Sequence, residues 1–124
     1  MNIETLKDEL RKFNVDRDWD KYHNPKDLFI ALVSEVGELA DCFRWLNADE
    51  VSNIYTDLEK RKKIEDEIAD IIWYLLILGY KTDMDILEAL ANKIERNKKR
   101  YPVEEMKGQH SNKLVGFKAK DIKV

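Results

Sequence analysis

The chain has 124 residues, enough for one domain that buries a core without disulfides or a structural metal. Charged residues make up 38% of it, yet the net charge is only −3, so the basic excess of a nucleic-acid binder is missing. One cysteine, Cys42, excludes an internal disulfide framework and suits a reducing cytoplasm, and the longest apolar run, Ile71 to Gly79, is about half a membrane span.

No basic-then-apolar leader opens the chain, so no secretory signal is expected. Ile3, Leu6, Leu10 and Phe13 recur at spacings of three and four and predict an amphipathic helix over residues 2–14. The stretch VDRDWDKYHNPKD breaks that period and reads as a surface loop carrying Trp19 and His23. Asn24-Pro25 is a helix start: Asn caps free N–H groups and Pro at the first helical position gives up no hydrogen bond. The helix is expected over residues 25–46. Leu28, Leu32, Leu39 and Phe43 form one apolar stripe; Phe29, Val33, Val36 and Ala40 form a second, so burial on two sides is expected. Cys42 reads as a small core residue. Gly37 costs about 1 kcal/mol relative to Ala in a helix, and close helix packing is the simplest reason for it.

Residues 47–56 are polar and small and read as a linker. A second long helix is expected over 57–78, charged in its first half and apolar in its second, with Trp73 in the core or an interface. Gly79 and YKTDMD end it, and Thr82 or Asp83 caps the next helix, whose stripe is Met84, Leu87, Leu90, Ala91 and Ile94. Pro102 ends that helix. Residues 103–124 are polar and aperiodic, a tail expected to pack on a neighbouring subunit. The total is an all-α four-helix bundle, with a helical domain over 1–102.

Two acidic pairs stand inside the buried-looking stretches: Glu35 with Glu38, then, after 28 intervening residues, Glu67 with Asp70. Residues three apart on a helix share a face, about 5–6 Å apart at Cβ. Glu35 also falls in line with Leu28, Leu32 and Leu39, and a carboxylate on a core stripe is rarely unpartnered. If the two helices pack together, four carboxylates converge, and their repulsion calls for a cation. Mg²⁺, a hard ion that shares its oxygen ligands between carboxylates and phosphates, is the expected occupant. The plainer alternative is a set of solvated acids paired with lysines.

The run RDWDKYHNPKDLFIALVSEVGELADCFRW, the later IADIIWYLLIL and the ending NKKRYP resemble the MazG-like all-α nucleoside triphosphate pyrophosphohydrolases, and among them the dCTP pyrophosphatase branch. The resemblance covers roughly residues 13–102. It implies a Mg²⁺-dependent enzyme, assembled as a dimer or a dimer of dimers, that hydrolyses a nucleoside triphosphate to a monophosphate and pyrophosphate. It implies Glu35, Glu38, Glu67 and Asp70 as metal ligands and catalytic acids. It places Trp19, His23 and Trp45 around the base, and Tyr74, Lys93, Asn97 and Arg100 near the sugar and phosphates. Lys26-Asp27 departs from the Arg-Asn usual in that branch, so contacts near this turn are not carried over.

Stacking on an aromatic contributes about 1–3 kcal/mol per base, so Trp19 and Trp45 are candidates to sandwich one. Lys93, Asn97 and Arg100 fall at i, i+4, i+7 and share one helix face. The competing function is a non-catalytic helical dimer that binds or senses nucleotides; neither reading calls for nucleic acid or a membrane.

Overall fold

In the computed structural model, residues 1–108 are described; the rest of the tail, residues 109–124, lies outside the described residues. The described residues are all-α, with six α-helices: α1 (Ile3–Asp16), α2 (Pro25–Asp41), α3 (Ala48–Asn53), α4 (Leu58–Lys81), α5 (Ile86–Arg100) and α6 (Val103–Met106). The four long helices are those the periodicity predicts. No described helix is long and apolar enough to cross a membrane.

The helix starts follow capping chemistry. Asn2 accepts from the Thr5 amide at α1, Asn24 from the Asp27 amide at 3.0 Å at α2, and Asp57 from the Glu59 and Lys60 amides at α4. The 47–56 stretch is more ordered than expected. Asn47 and Glu50 form a reciprocal capping box that starts α3, a single turn of 3₁₀ helix follows, and Ile54 is buried beneath.

The helix ends differ from the sequence reading. α2 stops at Asp41, and residues 42–45 are turns, so Cys42 is half-buried beyond the helix rather than inside it. α4 runs past Gly79 to Lys81. Thr82 does not start α5; its hydroxyl donates back to the Leu78 carbonyl at 2.6 Å and closes α4. Asp83 does not cap α5 in the regular way either: it takes a left-handed φ of 56° in the connecting turn, and α5 begins at Ile86.

Tertiary contacts group Met1–Ile86 in one compact unit and the chain from Leu87 onward in another. In the first unit, α2 packs along α4. Leu28, early in α2, meets Leu76 and Ile77 late in α4, whereas Glu35 and Glu38 meet Glu67 in its first half, so the pair is antiparallel. α1 adds Leu10 to the same cluster, and Ile3, Trp73, Tyr74, Leu78 and Tyr80 pack around it. Trp73 is thus a core-edge residue, as its apolar surroundings predict.

The expectation of burial on two sides of α2 is corrected by the structure. Leu28 is 1% exposed, but Phe29, Val33 and Val36 stand half-exposed or more. Adjacent positions on a helix are about 100° apart, so the second stripe turns away from α4 and stays exposed among the described residues. Gly37 is corrected likewise: it is exposed, and a Cβ placed there meets no atom within 4 Å. Close packing among the described residues is therefore not the reason for it.

Gly79 does carry a packing constraint. It is buried, and a Cβ would lie 2.8 Å from Ile86 Cγ1 and 3.1 Å from the Met84 carbonyl oxygen. That carbonyl is backbone and cannot swing aside. Gly79→Ala should lower stability by about 1–2 kcal/mol, overpacking outweighing the gain in helix propensity. Urea unfolding measures it; a stabilised variant would show that the turn after α4 is loose.

Candidate active site

The α2–α4 pair sets the acids against one another. Carboxylate oxygens of Glu35, Glu38 and Glu67 all lie within 4.8 Å of one another. Glu35 and Glu67 are half-buried and Glu38 is exposed. Asp70 is outside this tight trio, but its charge acts on Glu35, Glu67 and Tyr74, so it stands beside them.

The electrostatics follow from that crowding. Burial first, then the neighbouring Glu38 through hydrogen bonding and charge, then Glu67 and Asp70, raise the Glu35 carboxyl from 4.5 to about 7. Burial also raises Glu67, with Glu38 adding to the shift and Glu35, as a donor, opposing it. A hydrogen bond among these groups needs a proton, because ionised carboxylates only accept. Fully ionised, Glu35 Oε2 and Glu67 Oε2 are buried oxygens with no hydrogen-bond partner. Buried acceptors without donors are costly unless a cation serves them. An all-carboxylate donor set of this kind fits a hard divalent ion such as Mg²⁺.

Tyr74, one helical turn beyond Asp70 on α4, has its phenol pushed up by burial and then by the charges of Glu35 and Asp70. It stays protonated and can donate a hydrogen bond beside the acids.

The base-binding candidates are dispersed. Trp19 is 48% exposed on the turn before α2; its ring meets Phe13 edge-on at 5.7 Å, and Phe13 meets Trp73 edge-on at 5.2 Å. His23, at the end of the same turn, is half-buried, and its Nδ1 is buried without a partner. Burial lowers its pKa, with Asp20 opposing and Lys81 assisting, so the ring is neutral at physiological pH. Trp45 is not a core residue at a helix end. It is 80% exposed on the turn after α2, with the Arg44 guanidinium 4.7 Å from its ring centroid. Trp19 thus lies on the segment before the 17-residue α2 and Trp45 on the turn after it.

Lys93, Asn97 and Arg100 lie at i, i+4, i+7 on continuous helix in α5, as their spacing predicts, Asn97 half-buried and the other two exposed. They belong to the second compact unit.

The MazG-like family model matches residues 30–113, which takes in both acidic pairs. The chain belongs to the MazG-like family. Among its relatives, mouse dCTP pyrophosphatase 1 is 36% identical over 107 residues, covering 84% of this chain and 63% of that protein. The human dCTP pyrophosphatase 1 is 36% identical over 101 residues, covering 79% and 59%. This MazG-like chain thus spans less than two thirds of the length of these curated relatives. A solved pyrophosphatase from Archaeoglobus fulgidus superimposes with a TM-score of 0.73 at 38% identity, over 80% of this chain and 91% of that one.

Proposed function

We propose that this MazG-like chain is a cytoplasmic, Mg²⁺-dependent nucleotide pyrophosphohydrolase. It cleaves a (deoxy)nucleoside triphosphate, dCTP or a related pyrimidine, between the α and β phosphates to a monophosphate and pyrophosphate. The observation that carries the reading is the carboxylate trio within 4.8 Å, two of whose oxygens are buried and unserved. The names of the relatives, dCTP pyrophosphatase 1 and pyrophosphatase, supply the direction of the substrate assignment.

Glu35, Glu38 and Glu67 from the trio, with Asp70 beside them, would hold Mg²⁺, which when bound neutralises phosphate charge and polarises the bond that breaks. The chain's own groups do the rest. Water adds at one phosphorus of the α–β bridge, the bond from that phosphorus to the bridging oxygen breaks, and the monophosphate and pyrophosphate separate. The proton released by that water passes to a carboxylate of the cluster. The Tyr74 phenol donates to the sugar or a phosphate oxygen. Trp19 offers a ring face to the base, and neutral His23 offers one nitrogen to donate and one to accept. Trp45, exposed on the turn after α2, offers a second ring face to the base. On the second unit, Lys93, Asn97 and Arg100 on one face of α5 are the proposed phosphate-binding side chains. Residues 1–102 form the catalytic domain and 103–124 an appendage to it.

The assembly is proposed to be a homo-oligomer, dimer or tetramer. What supports it is the set of apolar side chains left exposed on the two helices: Phe29, Val33 and Val36 on α2, and Ile68, Ile72 and Leu75 on α4.

Incubation of dCTP, dUTP, dTTP and dATP with Mg²⁺ should yield pyrophosphate and the monophosphate, fastest with a pyrimidine. Orthophosphate plus a diphosphate would move the cleavage point. Binding without turnover of any of the four would replace the enzyme with a nucleotide sensor.

A further inference from the structure

We propose that Asp20 and Lys81 are positioning residues that hold the turn bearing Trp19 and His23 in place for the nucleoside; this rests on the reading of those two side chains as nucleoside contacts. The segment between α1 and α2 has little regular structure of its own. It holds one turn of 3₁₀ helix, Asp20–Tyr22, and a left-handed Asp18 with φ 56°. Its backbone hydrogen bonds are local: the Asp18 amide donates to the Val15 carbonyl at 3.0 Å and the Trp19 amide to the Asn14 carbonyl at 2.9 Å, at the end of α1, and the rest close the turn on itself. One polar link ties the turn to the end of α4, and a second ties the adjoining end of α1 to the preceding residue of α4. Lys81 Nζ meets Asp20 Oδ2 at 2.8 Å across 61 positions of sequence. Asn14, at 0% exposure near the end of α1, donates from Nδ2 to the Tyr80 hydroxyl at 3.2 Å.

The ion pair differs in kind from those elsewhere in the same unit. Those on α1 and α4, such as Lys12–Asp16 and Lys62–Asp66, join residues three or four apart within one helix. Exposed pairs of that sort contribute little. Lys81 and Asp20 are more enclosed, with side chains 23% and 40% exposed, and they join different elements. Enclosure strengthens their attraction and sharpens the geometry it enforces. The edge-on run Trp19–Phe13–Trp73 then orients the indole on the fastened turn. Both charges act on His23, in opposite directions, which places the pair beside that ring as well. Lys81 lies eleven residues, about 16 Å, along α4 from Asp70, so the turn it fastens stands at a nucleotide's length from the acids.

The test uses the full chain with Mg²⁺ and dCTP, measuring kcat and KM. Lys81→Met and Asp20→Asn should each raise KM roughly tenfold with kcat within about twofold of the parent, because the acid cluster is untouched. Plain electrostatics predicts otherwise: losing a cation weakens binding of an anionic nucleotide, and losing an anion tightens it. Opposite shifts in KM would therefore overturn the proposal. Lys81→Arg should keep KM near the parent value, and so should the exchange of Asp20→Lys with Lys81→Asp, which keeps the proposal testable if a single variant unfolds. A fall in Tm with KM unchanged would mean that the pair serves stability alone and would also overturn it. Trp19→Ala is the separate check on the underlying reading. If it leaves KM unchanged, the nucleoside assignment falls. If it raises KM while Lys81→Met and Asp20→Asn do not, only the positioning role falls.

Discussion

Glu38→Gln is expected to cut triphosphate hydrolysis by roughly a hundredfold or more while the metal-free chain melts at the same temperature or higher. The two effects have one cause. Glu38 lies within 4.8 Å of Glu35 and Glu67 and raises the pKa of both, so its charge is a burden until a cation arrives. An amide at this position cannot hold a hard divalent ion as a carboxylate does. It can, however, donate to the buried Oε2 atoms of Glu35 and Glu67, which have no donor of their own. Asp70→Asn should behave in the same way, with a smaller gain in stability, because it stands outside the tight trio. Thermal melts in EDTA alongside pyrophosphate release decide the matter. A variant that loses activity and stability together would make the cluster a structural network instead.

The second large effect is a pH-dependent dependence on metal. Glu35 sits at about 7 in the folded chain against 4.5 as its ordinary value. Below pH 4.5 the group is protonated in both states and costs nothing. Between 4.5 and 7 the folded state keeps a proton that the unfolded state has released, so stability falls as pH rises. Above 7 the full cost is present. Glu35 is only half-buried, and water screens the interaction, so the loss should be on the order of 1 kcal/mol. A divalent cation takes the place of that proton. Millimolar Mg²⁺ should therefore raise Tm more at pH 8 than at pH 5, and binding at pH 6–7 should release protons. Melting curves with and without EDTA at the two pH values test both halves. Equal or absent stabilisation at both would remove the cation from the site.

Much of this could be read from the residues because two periods coincide in them. The helical period in α2 and α4 is carried by their apolar positions, and the acids interrupt it in register. Glu35 aligned with Leu28 and Leu32, and Glu67 just ahead of Ile71, had to face the partner helix once those apolar residues did. α3 escaped because six residues show no period; its signal was the N-x-x-E of Asn47 and Glu50, a capping box with almost no helix behind it. The early end of α2 escaped because Phe43 and Leu46 continue an apolar stripe through turns that need no helix. The link from Asp20 to Lys81 has no local signature at all, whereas Asn14 does: it falls four residues after Leu10 on the buried side of α1.

Among the described residues only six apolar side chains are buried: Leu10, Leu28, Ile54, Ile64, Leu76 and Ile77. So slight an interior makes robustness a collective property rather than an individual one. With self-association as proposed, the melting point should climb as the solution is made more concentrated, and extreme dilution should unravel chains and silence the acids together. A residue such as Val33, remote from any chemistry, then governs activity as firmly as a ligand does.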